Sequence, residues 1–182
     1  MSVSLTERYR HKIISANELR EKIGAPPREE KAIMCHGVFD VVHPGHVRHL
    51  LYAKSKAEFL ICSLTADKHI SKGTYRPHVP QDLRAANLAA LEMVDFVVVD
   101  MNDNPLENIK IIEPDYFAKG FEYTSKGLPP KTQAEAKVVE AYGGEMIFTP
   151  GDIVYSSRAL INLAPPTIQY ETLQLVMEQN DI

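Results

Sequence analysis

The chain has 182 residues, of which 45% are hydrophobic and 24% charged, and this suits one globular domain with a full core and short extensions. Its formal net charge of −4 argues against broad binding to nucleic acid, and no apolar run approaches the ~20 residues that a membrane-spanning helix needs. The N-terminus lacks the apolar segment of a secretory signal, so we expect a cytoplasmic protein without membrane partners.

Residues 1–31 form a polar lead-in that favours helix. The run Ser15-Ala-Asn-Glu is typical of a capped helix start, with Ser15 as the N-cap. Pro26-Pro27 is expected to end this helix, because proline lacks the backbone N–H that a helix interior uses.

From residue 32 onward, apolar segments of strand length alternate with segments that carry apolar residues at helical spacing. The predicted strands are 32–39, 58–64, 96–99, 116–118 and 146–148. The predicted helices are 45–56, 81–93, 105–112, 131–142 and 156–162. This order implies an α/β fold with a five-stranded, mainly parallel sheet and helices on both faces.

The main domain is expected to span residues 32–163, because Leu163-Ala-Pro-Pro-Thr interrupts the last helix. Residues 164–182 are interpreted as a C-terminal arm or as a linker to a further domain, with a packed terminal helix as the alternative. Cys35 and Cys62 both fall in predicted strands. They are expected to be buried free thiols in a reducing compartment, because a disulfide framework needs more cysteines.

The most informative motif is His43-Pro-Gly-His46, which stands where the first predicted strand gives way to a helix. Such a handover in a parallel sheet is where nucleotides and phosphates bind. Gly37 allows close approach of the backbone to a ligand, and Pro44-Gly45 makes a tight turn. The positive end of the helix disfavours imidazolium, so we predict lowered pKa values and neutral rings that donate to phosphate oxygens.

Metal binding by these two histidines is the weaker interpretation, because no third ligand stands at a standard spacing. The sequence predicts no functional role for two other histidines. His36 is interpreted as a satisfied histidine of a strand, and His49 as one that packs or faces solvent.

Basic and hydroxyl side chains follow the other predicted strands. Each alone is more often a solvated charge or a helix cap. Together they supply the ring of donors that a triphosphate requires. The set comprises Lys72, Arg76, Arg84, Lys119-Gly120, Ser156-Ser157 and Arg158.

The run Gly37-Val-Phe-Asp40-Val-Val-His43-Pro-Gly-His46 resembles the signature of the cytidylyltransferase-like nucleotidyltransferases. The likeness is greatest to the adenylyltransferase domain of bifunctional heptose-phosphate kinase/adenylyltransferases (ADP-heptose synthase), and it extends to glycerol-3-phosphate cytidylyltransferase. It covers residues 30–162, through Lys72-Gly-Thr-Tyr-Arg76, Pro114-Asp-Tyr-Phe-Ala-Lys119 and Tyr155-Ser-Ser-Arg158.

This resemblance implies a Rossmann-like three-layer α/β/α sandwich. It implies transfer of a nucleotidyl group from ATP or CTP, bound with Mg²⁺, to a sugar phosphate or polyol phosphate, with release of pyrophosphate. A homodimer is the expected assembly, and fusion to or pairing with a sugar kinase is an expected arrangement. The alternative is a nucleotide-binding regulatory module that has lost turnover.

When the family's residues are matched to this sequence position by position, the resemblance implies catalytic contacts with phosphates. These contacts would come from His43, His46, Lys72 and Arg84. No residue of the chain is expected to bind a metal directly. A second set would bind the nucleotide: Gly37, Val38, Phe39, Asp40, Gly45, Lys119, Gly120, Glu122, Tyr155, Ser156 and Ser157. Phe121 departs from the family pattern near the base pocket, where a smaller residue is usual. The choice between ATP and CTP therefore stays open at this point.

Overall fold

The computed structural model describes residues 4–70, 76–120 and 128–149, and it has the alternating order that the sequence predicts. The strands are β1 Ala32–Gly37, β2 Phe59–Thr65, β3 Phe96–Asp100, β4 Tyr116–Gly120 and β5 Glu145–Thr149. The helices are α1 Leu5–Arg8, α2 Ala16–Ile23, α3 Pro44–Lys54, α4 Gln81–Ala89, α5 Leu106–Ile112 and α6 Pro130–Ala141, with a 3₁₀ turn at Asp67–His69.

The five strands form one sheet in the order β3-β2-β1-β4-β5, and every pair in it is parallel. The chain builds outward from β1 to β2 and β3 on one side, then returns to add β4 and β5 on the other. The strand order therefore reverses between β1 and β4. In sheets of this kind, the crevice at the carboxyl ends of the strands beside this reversal is the usual place for a ligand.

Both faces of the sheet are covered by helices, which confirms the three-layer α/β/α sandwich. On one face, Leu50 of α3 and Leu88 of α4 are fully buried against the sheet. On the other face, α2, α5 and α6 bury Leu19, Ile109 and Val139. Because both faces of the sheet are buried, the strands are almost continuous runs of apolar residues, without the alternation of apolar and polar residues of a half-exposed sheet.

The lead-in packs on the same core as the main domain. The N-cap Ser15 accepts a hydrogen bond from the Glu18 backbone N–H (3.2 Å), and the Glu18 carboxylate accepts one from the Ser15 N–H (2.8 Å). This is the capped start that the sequence predicts. The expected end at Pro26-Pro27 is wrong: α2 ends at Ile23, because Gly24 takes the left-handed φ of 75° that stops a helix.

The other boundaries lie within two residues of the predicted ones, except the end of α4. This helix ends at Ala89, and the residues after it form turns in which the Val94 N–H donates to the Leu91 carbonyl (3.2 Å). The predicted helix 156–162 and the segment 164–182 lie outside the described residues. Within the described part, no helix has the length and apolar character to cross a membrane.

Cys35 and Cys62 are register partners on β1 and β2, and both are free and fully buried, as predicted. Burial raises the pKa of both thiols. They are therefore poor nucleophiles and serve as small core residues.

Candidate functional site

His43 and His46 lie together at the N-terminus of α3, at the carboxyl edge of the sheet. His43 is the N-cap residue, with extended backbone, and Pro44 occupies the first turn of this 11-residue helix. The two imidazole rings stack, with centroids 3.8 Å apart and planes 29° from parallel. The motif thus places two imidazole rings at the N-terminus of α3, which is the positive end of the helix dipole.

Phe39 supports this pair from the β1–α3 loop. Its backbone adopts a φ of 49°, which is rare for a residue with a side chain. Its ring is buried and lies 5.2 Å from that of His46, centroid to centroid. A Cβ atom at Gly37 would come within 3.2 Å of the Phe39 ring. Gly37 therefore provides the room in which Phe39 packs beneath His46.

Both imidazoles are neutral near pH 7. Burial lowers the pKa of His43, and burial together with the rings of His43 and His49 lowers the pKa of His46 to about 4. The direction is the predicted one, but the main cause is loss of hydration rather than the field of the helix. Within the described part of the chain, the buried Nδ1 atoms of both residues have no hydrogen-bond partner, and buried polar atoms left unpaired in this way are rare in folded proteins.

We expect the free energy of unfolding to fall as the pH is lowered from 6.5 towards 4. The pKa of His46 falls from 6.5 in the unfolded chain to about 4 in the folded one, so the unfolded chain binds more protons across this window. Each such histidine removes about 1.4 kcal/mol of stability per pH unit. His36, whose pKa burial lowers to about 3, adds a second contribution of the same sign.

Urea unfolding followed at intervals between these pH values measures the slope, and His46→Gln should reduce it by about 1.4 kcal/mol per pH unit. An unchanged slope in the variant would show that His46 is charged in the folded protein.

Asp40 ties the first loop to the segment that precedes α4. Its side chain is buried, and Arg76 donates to one carboxylate oxygen at 3.0 Å. The other oxygen accepts from the backbone N–H groups of His78 (2.8 Å) and Val79 (3.0 Å). Asp40 thus fixes the shape of the first loop, and its carboxylate balances the charge of Arg76.

Arg84 is fully buried in α4, and its guanidinium donates mainly to backbone carbonyls. The bonds go to the carbonyls of Val79 (2.8 Å), Thr65 (3.1 Å) and Val38, and to the Asp67 carboxylate. The three carbonyls belong to three different segments at the carboxyl edge. These contacts favour a role in holding the loops together over the direct phosphate contact that the resemblance implies.

Lys119 stands at the carboxyl end of β4, as predicted, and it is paired with Glu135 of α6. The Lys119 ammonium lies 2.7 Å from one carboxylate oxygen and 2.9 Å from the other. Both side chains are nearly buried. The pair joins β4 to α6 beside Gly120, the last residue of the strand, and much of the positive charge predicted there is balanced by Glu135.

Polar contacts at the same edge also involve His49 and His36, for which the sequence predicts no functional role. His49 Nδ1 lies 2.9 Å from the hydroxyl of Thr149, so it joins α3 to the end of β5 and does not merely pack or face solvent. His49 lies one helical turn after His46, so the sequence alone already places it on the same face of α3 as the motif. His36 hydrogen-bonds to side chains of β2, as the interpretation of a satisfied strand histidine requires.

Several predicted site residues lie outside the described residues: Lys72, Phe121, Glu122, Tyr155, Ser156, Ser157 and Arg158. Two others are described: Val38 lies in the loop between β1 and α3, and Gly45 lies in the first turn of α3. In the three described ranges, no group of three or more His, Cys, Asp or Glu side chains is placed to hold a metal ion.

Residues 34–171 match the family described as Cytidylyltransferase-like. Several curated relatives carry the name Bifunctional protein HldE. The one from Syntrophotalea carbinolica is 37% identical over 141 residues, which is 76% of this chain and 28% of the relative. The one from Trichlorobacter lovleyi is 33% identical over 153 residues, which is 82% of this chain and 30% of the relative. The chain therefore spans less than a third of the length of these relatives.

Solved structures share the fold at low sequence identity. The lipopolysaccharide core biosynthesis protein from Thermoplasma volcanium has a TM-score of 0.54 and 21% identity, covering 68% of this chain and 99% of that one. Pantoate-beta-alanine ligase from Francisella tularensis, complexed with beta-gamma ATP and beta-alanine, has a TM-score of 0.58 and 15% identity, covering 86% of this chain and 75% of that one. Both stacked histidines lie within residues 34–171, which match the family. The chain therefore belongs to the cytidylyltransferase-like family of nucleotidyltransferases.

Proposed function

We propose that this nucleotidyltransferase transfers the nucleoside monophosphate of ATP or CTP to the phosphate of a small sugar phosphate or polyol phosphate, with release of pyrophosphate. The observation that carries the proposal is the stacked His43–His46 pair beside the β1/β4 reversal, whose buried Nδ1 atoms have no hydrogen-bond partner in the described part of the chain. The resemblance of the sequence motifs to heptose-phosphate adenylyltransferases, together with the identity to the HldE relatives over most of this chain, supports a phosphorylated sugar as the acceptor class.

The reaction is an in-line displacement at phosphorus. A phosphate oxygen of the acceptor forms a bond to the α-phosphorus of the nucleotide, and the bond from that phosphorus to the bridging oxygen of pyrophosphate breaks. A phosphate monoester is already anionic near pH 7, so no general base is required. Catalysis then rests on alignment of the two phosphates and on stabilisation of the charge that builds on the oxygens.

The residues at the start of α3 are suited to that task. Gly45 and His46 lie in the first turn, where backbone N–H groups have no acceptor within the helix. The neutral imidazoles of His43 and His46 add side-chain donors at the same place. Mg²⁺ would be held by the nucleotide's own phosphates and would neutralise part of their charge.

The loops around Asp40 and Arg84 would set the position of these donors. Arg84 holds the Val38 carbonyl, and Asp40 fixes the backbone at His78 and Val79. We infer that both act as positioning residues, while Lys72, Ser156 and Ser157 remain proposed phosphate contacts. A homodimer and a sugar kinase that supplies the acceptor also remain proposals.

A screen for pyrophosphate release tests this function. ATP, CTP, GTP and UTP would each be combined with sugar 1-phosphates, glycerol 3-phosphate and related esters in the presence of Mg²⁺. We expect one pairing to release pyrophosphate in step with formation of a nucleoside diphosphate-linked product. Binding of nucleotide without pyrophosphate release from any acceptor would instead support the regulatory module.

A further inference from the structure

A second cluster of polar side chains lies at the carboxyl ends of β1, β2 and β3, separate from the stacked histidines. His36 Nδ1 lies 2.9 Å from the Ser63 hydroxyl, and His36 Nε2 lies 3.3 Å from the Thr65 hydroxyl. Asp100 completes the cluster, with Oδ2 at 3.9 Å from His36 Nδ1. None of the contacts described for the His43–His46 pair involves these four residues.

The cluster lies on the β2 and β3 side of β1, away from the β1/β4 reversal. His36 pairs in register with Ser63, and Thr65 pairs with Asp100. If the nucleotide occupies the crevice at the reversal, this side of the carboxyl edge is left for the acceptor. The His36 side chain is 13% exposed, whereas Asp100 is fully buried behind it, so a ligand can touch the imidazole but not the carboxylate.

The Asp100 carboxylate favours one of the two neutral tautomers of His36. Its Oδ1 accepts two hydrogen bonds from Asn102, both 3.0 Å, while its buried Oδ2 has no hydrogen-bond partner among the described residues. A carboxylate can only accept, so it favours an N–H at the nearby Nδ1 of His36. Ser63 then accepts from that N–H, and Nε2 retains its lone pair.

The lone pair of Nε2 is only weakly used within the protein. The Thr65 hydroxyl is 3.3 Å from Nε2 and 3.4 Å from the Gly37 carbonyl, both long for an O–H donor. Burial, with a smaller contribution from the Lys119 ammonium, lowers the pKa of His36 to about 3. The ring therefore stays neutral at working pH, and Nε2 stays an acceptor.

We propose that His36 is a specificity-determining residue, which accepts a hydrogen bond through Nε2 from a hydroxyl group of the phosphorylated acceptor. Asp100 is a positioning residue that holds the imidazole in the required tautomer. This inference rests on the proposed function and names the group that the acceptor must present. A nitrogen lone pair attracts a hydroxyl and repels a phosphate oxygen, so the cluster selects the polyol part of the acceptor.

Two substitutions at His36 separate this role from packing. In His36→Gln the side-chain amide reaches the position of Nε2 and can present an oxygen acceptor there. In His36→Asn the shorter amide reaches only the position of Nδ1, so it can bond to Ser63 but offers nothing to a ligand. The measurement is kcat/KM for the hydroxylated ester used fastest in the screen and for ethyl phosphate, which has no hydroxyl.

We expect His36→Asn to reduce the preference for the hydroxylated ester about tenfold, the value of one hydrogen bond, and His36→Gln to retain most of it. The KM for the nucleotide should not change in either variant. An unchanged preference in His36→Asn, or a change confined to the nucleotide KM, would overturn the inference. If no pairing in the screen releases pyrophosphate, the proposed function itself fails, which is a different result.

Nitrogen NMR of the His36 ring in the intact wild-type chain gives a readout that does not depend on a stable variant. We expect the Nδ1–H tautomer, and a change in the Nε2 resonance when the hydroxylated ester is added but not when ATP or CTP is added alone. In Asp100→Asn the tautomer preference should weaken. An Nε2–H tautomer in the wild type would contradict the proposal.

Discussion

Replacing His46 with alanine is expected to lower kcat by about 10²–10³-fold, which is the usual effect of removing one donor to a charged transition state. His46 stacks on His43 at the start of α3 and keeps a buried nitrogen without a hydrogen-bond partner among the described residues. Because its proposed donation strengthens as charge builds on the phosphate oxygens, the KM for the nucleotide should change little. Pyrophosphate release under saturating nucleotide and acceptor measures the effect.

His11→Ala is the matched control, because His11 is exposed and lies in the lead-in. It should leave kcat unchanged. Near wild-type turnover in His46→Ala, with the protein still folded, would remove His46 from the catalytic machinery and would mean that other groups stabilise the charge on the phosphate oxygens.

Replacing Arg84 with lysine is expected to lower the free energy of unfolding by about 3 kcal/mol, in the range for breaking a buried charged network. Lysine keeps the charge, but it has a single nitrogen and cannot reach the carbonyls of Val79, Thr65 and Val38 together. Urea unfolding at neutral pH measures the loss. Arg10→Lys is the matched control, because the Arg10 side chain is 80% exposed.

The same variant separates the two roles considered for Arg84. If Arg84 acts through the loops, kcat should fall while the KM values for nucleotide and acceptor change less. A stable Arg84→Lys protein with a large rise in KM alone would restore direct phosphate binding as its role.

The order of strands and helices could be predicted from the sequence because both faces of a parallel sheet are buried, so its strands are apolar runs, and the helices between them keep a regular apolar spacing. The end of α2 could not, because a glycine and two prolines stood close together and only the backbone at Gly24 decides between them. The stacked histidines were predictable because the two rings stand in one helical turn.

Other parts of the site depend on contacts between residues far apart in the chain. Nothing local marks Arg84 as buried, because the carbonyls that bind its guanidinium come from three segments brought together only by the sheet. His36 and Asp100 likewise lie near the carboxyl ends of two strands that are separated by β2, and the parallel pairing of β1, β2 and β3 brings them together. Such tertiary placement decides which of several polar residues face a ligand and which serve the fold.

Residues 12–14 of the lead-in pair with the edge strand β3, and this pairing affects the tendency of the chain to aggregate. Ile13 lies alongside Val97 of this edge strand, the Val97 N–H donates to the Lys12 carbonyl at 2.8 Å, and the Ile14 N–H donates to the Val97 carbonyl at 3.0 Å. An uncovered edge strand can pair with the edge of another molecule and start aggregation. The lead-in thus covers backbone N–H and C=O groups of this edge strand. We expect a chain shortened to begin at Ser15 to expose them and to aggregate more readily than the full chain.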